Sequence, residues 1–340
     1  DVERSRGLGD VYKRQPNDLE GIVIEIDGNG TANTKRPDTE RNPRVFAYMY
    51  GLARRLERDG RHGTADNYRC ATAALRKFCR GNTSIRFSQL DTALMARFED
   101  ALRRQGLKRT TVSFYMSTLK AMYNKAVRDG ATTDREPFKN SCTTVGTTPK
   151  RAIPLRQIRQ ISRMYVRTRQ MALARDMFMF SLYTRGMPFV DMAYLKKSDL
   201  RNGVLTYCRK KTGQPLAVKW EQCMQDIVDS YPTGDSSFLL PIISDPTADL
   251  RRQYKNRQRY INSQLAKIGA RLHLSTKLTM YVARHSWASL AKDMGVPIGV
   301  ISEALGHTSV KTTKIYLKAI DPAVIDRANH MLLANMNSCY

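Results

Sequence analysis

Three residues near the C-terminal end of this chain, Arg284, His307 and Tyr316, have the types and spacing to do chemistry on a phosphate ester. A guanidinium fork binds phosphate oxygens in bidentate fashion, and a phenol oxygen can attack phosphorus. They fall within residues 278–317, where Met280, Ala283, Trp287, Leu290, Ala291 and Met294 recur at three- and four-residue steps. That period predicts an amphipathic helix with those side chains inward and with Tyr281, Arg284 and His285 together on another face. Pro297 suits a first helical position and Gly306 a left-handed residue just past a helix end, so His307 should sit at a helix exit. Taken singly, His307 reads as a solvated loop histidine and Tyr316 as a core tyrosine. Their joint pattern points to a site instead.

The elements that must position these residues can be read outward from them. Residues 41–130 are helical in pattern, with apolar stripes Val45, Tyr48, Met49, Leu52 and Leu56; Tyr68, Ala71, Leu75 and Phe78; Leu94, Phe98, Ala101 and Leu102; and Val112, Tyr115, Met116, Leu119, Tyr123 and Val127. Asp59-Gly60, Gly81-Asn82 and Gln105-Gly106 supply the breaks. A Thr-rich segment with Pro137 and Pro149, residues 131–150, reads as a linker. From residue 151 onward helices are predicted over 153–169, 171–183, 219–230 and 249–270. Between them, residues 203–218 alternate about a K-T-G-Q turn and read as a β-hairpin. A last apolar stripe, Val324, Ile325, Ala328, Met331 and Leu332, predicts a C-terminal helix over 322–334.

Composition bounds the partners. The 340 residues carry 57 Lys plus Arg against 31 Asp plus Glu, a formal net charge of +26. Spread along the whole chain, that excess favours wrapping around a polyanion, because phosphate neutralisation with counterion release drives non-specific DNA binding. The six cysteines form no C-x-x-C pair and no metal-ligand spacing with the five histidines, which fits reduced thiols in a cytoplasmic protein. No apolar run approaches the ~20 residues that span a bilayer. No Walker loop suggests ATP and no carboxylate cluster suits Mg²⁺, so no cofactor is expected.

The sequence ARHSWAS, then LGH, then nine residues to a tyrosine, resembles the C-terminal signature of the tyrosine recombinases, or phage integrase family. The resemblance implies a mainly α fold with a small antiparallel sheet or hairpin: a SAM-like helical core-binding domain over 41–130 and a tyrosine-recombinase catalytic domain over 151–340. It implies Tyr316 as nucleophile, forming a 3′-phosphotyrosyl link, with Arg284 and His307 on the phosphate. Lys211, in the K-T of the hairpin, would protonate the leaving 5′ oxygen; strand alternation points Lys210 to the opposite face. The family's first arginine aligns with Pro188, and Arg185, three residues earlier, is assigned its role. Tyr281 stands where His or Lys is usual, and a phenol is a poor general base near neutral pH. The wording RGMPFVDM and YVARHSWAS points to a Bacteroidetes-type member. Duplex DNA with specific sites, a homotetramer on DNA linked by exchange of helix 322–334, accessory bending or directionality factors, and a bacterial, nucleoid-associated location are implied. Two alternatives remain: a type IB topoisomerase-like relaxase, and a DNA-binding regulator impaired in catalysis.

Residues 1–15 look foreign to the rest, because DVYKRQ is what a sequencing-library transposon adaptor encodes in one frame. Residues 19–30 alternate and end in a D-G-N-G turn, so residues 16–40 are expected to be a remnant of an N-terminal β segment whose other strands are missing.

Overall fold

The computed structural model describes residues 42–144 and 151–310, with the short segments 25–26, 32–33 and 312–313. Strand β1 (Glu25–Ile26) pairs antiparallel with β2 (Ala32–Asn33), so the strand expected alone in this region has a partner from the same chain. The chain divides into two compact units, residues 1–148 and 149–340.

In the first unit four helices form around one core: α1 (Val45–Arg58), α2 (His62–Phe78), α3 (Thr92–Arg104) and α4 (Arg109–Arg128). Val45, Met49 and Leu52 meet Tyr68, Ala71 and Leu75, and Met116, Leu119 and Tyr123 close the bundle. The third stripe runs through Met95, Phe98 and Leu102, while Leu94 and Ala101 are half-buried. Glu99 is buried on the same helix because it accepts the Cys142 N–H at 3.0 Å and pairs with Arg103. That bond ties the segment after the bundle back onto α3.

The second unit comprises α5 (Leu155–Arg163), α6 (Arg169–Tyr183), α7 (Phe189–Ala193), a three-stranded sheet, α8 (Gln222–Ser230), α9 (Leu250–Arg271), α10 (Met280–Asp293) and α11 (Ile298–Ala304). Its centre is α6, apolar nearly all round, which packs against both α9 and α10. The helix predicted over 153–169 stops at Arg163. Met164, in extended conformation, and Val166 pack against the core, Arg175 donates to the Met164 carbonyl at 2.9 Å, and Thr168 caps α6 through the Met171 N–H.

The sheet runs antiparallel in the order β3 (Leu200–Arg201), β4 (Val204–Cys208), β5 (Pro215–Lys219). Leu205 and Val218 are directly opposite and both buried, which fixes the register of the hairpin. The extra strand β3 is joined to β4 by Asn202-Gly203, whose φ values of 50° and 72° suit a primed hairpin turn. Helix α10 departs from its predicted face. Val282, Arg284, Ser286 and Ser289 are buried along with Met280 and Ala283, while Met294 at its end is 70 % exposed.

Candidate active site

Helix α10 carries Arg284 into the interior, where it is only 4 % exposed. One guanidinium nitrogen donates to the Gly186 carbonyl at 3.0 Å. The other donates to the Leu305 carbonyl at 2.6 Å and lies 2.9 Å from His307 Nε2. A guanidinium has no acceptor, so Nε2 accepts and the neutral ring carries its hydrogen on Nδ1. Nδ1 then donates to Thr313 Oγ1 at 2.8 Å. Arg284 and His307, predicted to act together, are therefore in direct contact. Of the three residues expected to share a face of α10, Tyr281 and His285 meet each other. The Tyr281 ring meets the His285 ring edge-on at 4.4 Å, with the Arg151 guanidinium 5.8 Å from its centroid.

The chain reaches His307 through Gly306, which has φ 63° as its place past α11 requires. A Cβ there would lie 2.5 Å from Arg209 Cδ. Arg209, at the end of β4 and 4 % exposed, donates to the Leu305 carbonyl at 3.1 Å and to the Gly306 carbonyl at 2.8 Å. Two buried guanidinium groups thus meet one stretch of backbone, residues 305–306. Sequence reasoning missed Arg209. The signal was available in the alternation of β4, since Leu205, Tyr207 and Arg209 share one strand face and Leu205 is core.

Asp191 on α7 faces this pair. Its Oδ2 lies 3.6 Å from Arg209 Nε, and its Oδ1 accepts the Lys210 N–H at 2.9 Å. Burial raises its carboxyl above the usual range, against the Lys210 N–H and the charges of Arg209 and Arg284. Burial likewise pushes the Tyr207 phenol up to about 12, with Asp191 adding to the shift and Arg284, Arg209 and Arg185 opposing it. Thr313 is a second residue that sequence reasoning did not single out.

Arg185 follows the end of α6 at φ 60° and precedes Gly186 at φ 72°. This turn brings the Gly186 carbonyl to Arg284, and a Cβ on Gly186 would lie 2.9 Å from Arg284 Cα. The Arg185 guanidinium donates to the Ala217 carbonyl on β5 at 3.2 Å, whereas the side chain sharing an acceptor with Arg284 is Arg209. Pro188 caps the start of α7. Lys211 is exposed in the hairpin turn, which the Arg209 N–H to Gln214 carbonyl bond closes at 2.9 Å. Lys210 Nζ instead stands 4.4 Å from the centroid of the Tyr194 ring. Tyr316 and the C-terminal stripe over 322–334 lie outside the described residues. Among the described residues no helix is long and apolar enough to cross a membrane, and no group of three His, Cys, Asp or Glu is placed to hold a metal ion.

Residues 44–145 match the model of the phage integrase SAM-like domain, and residues 154–321 match that of the phage integrase family. The chain belongs to the phage integrase family. A relative, the tyrosine recombinase XerA of Thermococcus kodakarensis, is 25% identical over 228 residues, covering 65% of this chain and 75% of the relative. Among solved structures, the Tn1549 transposon integrase in complex with transposon right end DNA superposes with a TM-score of 0.61 at 15% identity, over 86% of this chain and 100% of that one. A lambda integrase tetramer bound to a Holliday junction gives 0.58 at 16% identity, over 84% and 82%. In fold the chain is a phage integrase: mainly helical, with a small antiparallel sheet.

Proposed function

We propose that this chain is a site-specific tyrosine recombinase that cuts and rejoins DNA through a 3′-phosphotyrosyl intermediate. Residues 41–130 are assigned as the core-binding domain, residues 131–150 as the linker and residues 151–340 as the catalytic domain. The observation that carries the reading is the convergence of Arg209, Arg284 and His307 on residues 305–307, a buried cationic surface with one carboxylate beside it. Such a surface suits a phosphodiester, whose non-bridging oxygens can take over the hydrogen bonds now made to backbone carbonyls.

In the reaction Tyr316 attacks phosphorus, the bond to the 5′ oxygen breaks with its electron pair on that oxygen, and Lys211 supplies the proton. The phenol proton of Tyr316 passes to His307 Nε2, whose tautomer leaves that nitrogen an acceptor. Return of the 5′ hydroxyl of a partner strand reverses each transfer and completes rejoining. Arg284 and Arg209 stabilise the charge that builds on the phosphate. Arg185, held to β5, supports the turn whose Gly186 carbonyl receives Arg284.

The relatives and neighbours described above are named as recombinases and integrases, which favours recombination over a relaxase or a silent regulator. By the same likeness we assign duplex DNA with specific sites as substrate, a homotetramer on two duplexes as the working assembly, bending or directionality factors as accessories, and the bacterial nucleoid as the place of action. The test begins by incubating the protein with a pool of nicked, random-sequence duplexes and recovering covalent adducts. Wild type should yield adducts that enrich a sequence, and Tyr316→Phe none. Two captured sites placed on one plasmid should then recombine; relaxation without exchange would favour the topoisomerase reading.

A further inference from the structure

Three arginines of the first unit are brought to one place by three separate segments of chain. Arg44, which precedes α1, lies directly opposite Arg86 in an antiparallel bridge, closed beside it by the Val45 N–H to Ile85 carbonyl bond at 2.9 Å. Residues directly opposite in such a pair send their side chains to the same face. Next to this pair the Asn42 side-chain amide donates to Ser88 Oγ at 2.9 Å, and the Ser88 N–H donates back to Asn42 Oδ1 at 3.1 Å. Arg86 Nη1 donates to the Asn42 carbonyl at 2.8 Å, and Arg135, from the segment after α4, sends Nη1 to the Ser88 carbonyl at 3.2 Å. All three arginines are exposed. Like charges set directly opposite destabilise a strand pair. Among the described residues no carboxylate is ion-paired with any of the three. The acidic neighbours of Arg135 are turned elsewhere: Asp134 Oδ1 accepts the Glu136 N–H at 2.9 Å, and the Glu136 carboxylate lies 3.5 Å from Lys139 Nζ. Arg86 and Arg135 each commit one terminal nitrogen to a carbonyl, which fixes the guanidinium and leaves the rest of its fork to an anion.

We propose that Arg44, Arg86 and Arg135 form a grip for the backbone of duplex DNA, binding phosphate oxygens and reading no bases. The inference rests on duplex DNA as the substrate and on nothing in the chemistry of strand cleavage. A phosphate seated on the cluster offsets the repulsion between the opposed pair, and the hydrogen bonds to residues 42 and 88 hold two of the guanidinium groups in place before it arrives. Such contacts fix the protein on the duplex without carrying sequence information, and each one releases condensed counterion. The grip therefore has two signatures that a base-reading residue lacks: a change in salt dependence, and equal effect on any sequence.

The experiment follows filter binding of the whole chain to a duplex selected from a random pool by binding alone, and to a scrambled duplex of the same length. Changing all three residues together, Arg44→Gln, Arg86→Gln and Arg135→Gln, removes two to three phosphate contacts. The slope of log affinity against log salt should become shallower by about 2–3, so that the deficit relative to wild type shrinks about 10- to 40-fold between ~50 and ~200 mM salt. The deficit should be equal on the two duplexes. Changing the same three residues to Lys keeps the charges and should keep the wild-type slope. Phenylglyoxal modification of wild type, read by peptide mass, needs no variant to fold: bound duplex should protect Arg44, Arg86 and Arg135. An unchanged slope in the Gln variant, or equal modification with and without DNA, overturns the proposal. So does a deficit confined to the selected duplex, which would make these residues base readers, and so does a Lys variant as shallow in slope as the Gln variant, which would trace the loss to damage of the first unit. Failure of wild type to bind either duplex overturns the reading of DNA as substrate, and this proposal with it.

Discussion

Arg209 and Arg284 are buried cations facing one buried carboxylate, Asp191, so an anion entering beside them lowers the energy of both. Arg209→Ala and Arg284→Ala are each expected to slow covalent capture by about 10²–10³-fold, the scale of losing one oriented donor to a developing oxyanion. Arg209→Lys should recover little, since an ammonium cannot reach two carbonyls and a carboxylate in the fork geometry. Arg185→Ala should cost less than Arg209→Ala; the reverse ranking in the same assay would return the first-arginine role to Arg185. Asp191 adds a pH signature. Its folded value is raised by burial, so the folded chain holds this proton to higher pH than the unfolded chain, where a carboxylate sits near ~3.9. The folded state then binds more protons in that window. The contribution of this group to stability is full below ~3.9 and declines as pH rises through the folded value. Asp191→Asn should flatten that portion of stability against pH in urea unfolding, and an unchanged curve would show that Asp191 titrates normally. At this scale the pairing of Arg284 with His307, now in contact, was legible because their sequence context is distinctive. Arg209 was not, because an arginine next to two lysines in a turn reads as solvated charge until the strand face is known.

At the scale of elements, helix periods and the hairpin could be read because apolar side chains mark the buried face. The stripes of α1, α2 and α4 contain the buried residues Met49, Leu52, Leu75, Met116 and Leu119, and the alternation of residues 203–218 lies on β4 and β5. Helix α10 was misread for a physical reason: it buries Arg284 and two serines, so hydrophobicity no longer reports burial along it. The early end of α5 was hidden because Thr168, an ordinary residue in a helical pattern, serves as the cap of α6. Strand β3 was missed although Asn202-Gly203 is a strong turn signal. Leu205, wholly buried opposite Val218, carries the packing that presents Arg209 and Lys211. Leu205→Ala should therefore destabilise the second unit by about 2–5 kcal/mol in urea unfolding and should weaken capture more than DNA binding. Equal loss of both would mean that the hairpin matters for folding alone.

For the whole molecule the governing quantity is a net charge of +26 over 340 residues, with basic side chains in both units. Binding to duplex DNA should weaken about 10³–10⁵-fold between ~50 and ~200 mM salt if six to ten phosphates are neutralised, which filter binding across a salt series would measure. A flat salt response would contradict a wrapped duplex. The basic composition pointed to a polyanion partner, but Tyr316, the proposed nucleophile, lies outside the described residues. Covalent capture by Tyr316 is accordingly the most direct measurement. Wild-type protein incubated with the nicked random-sequence pool should leave a protein–DNA adduct that survives boiling in detergent and maps to Tyr316 by peptide mass, with none from Tyr316→Phe. An adduct that persists in Tyr316→Phe, or no adduct from wild type under conditions where it binds the pool, would contradict strand cleavage by this tyrosine.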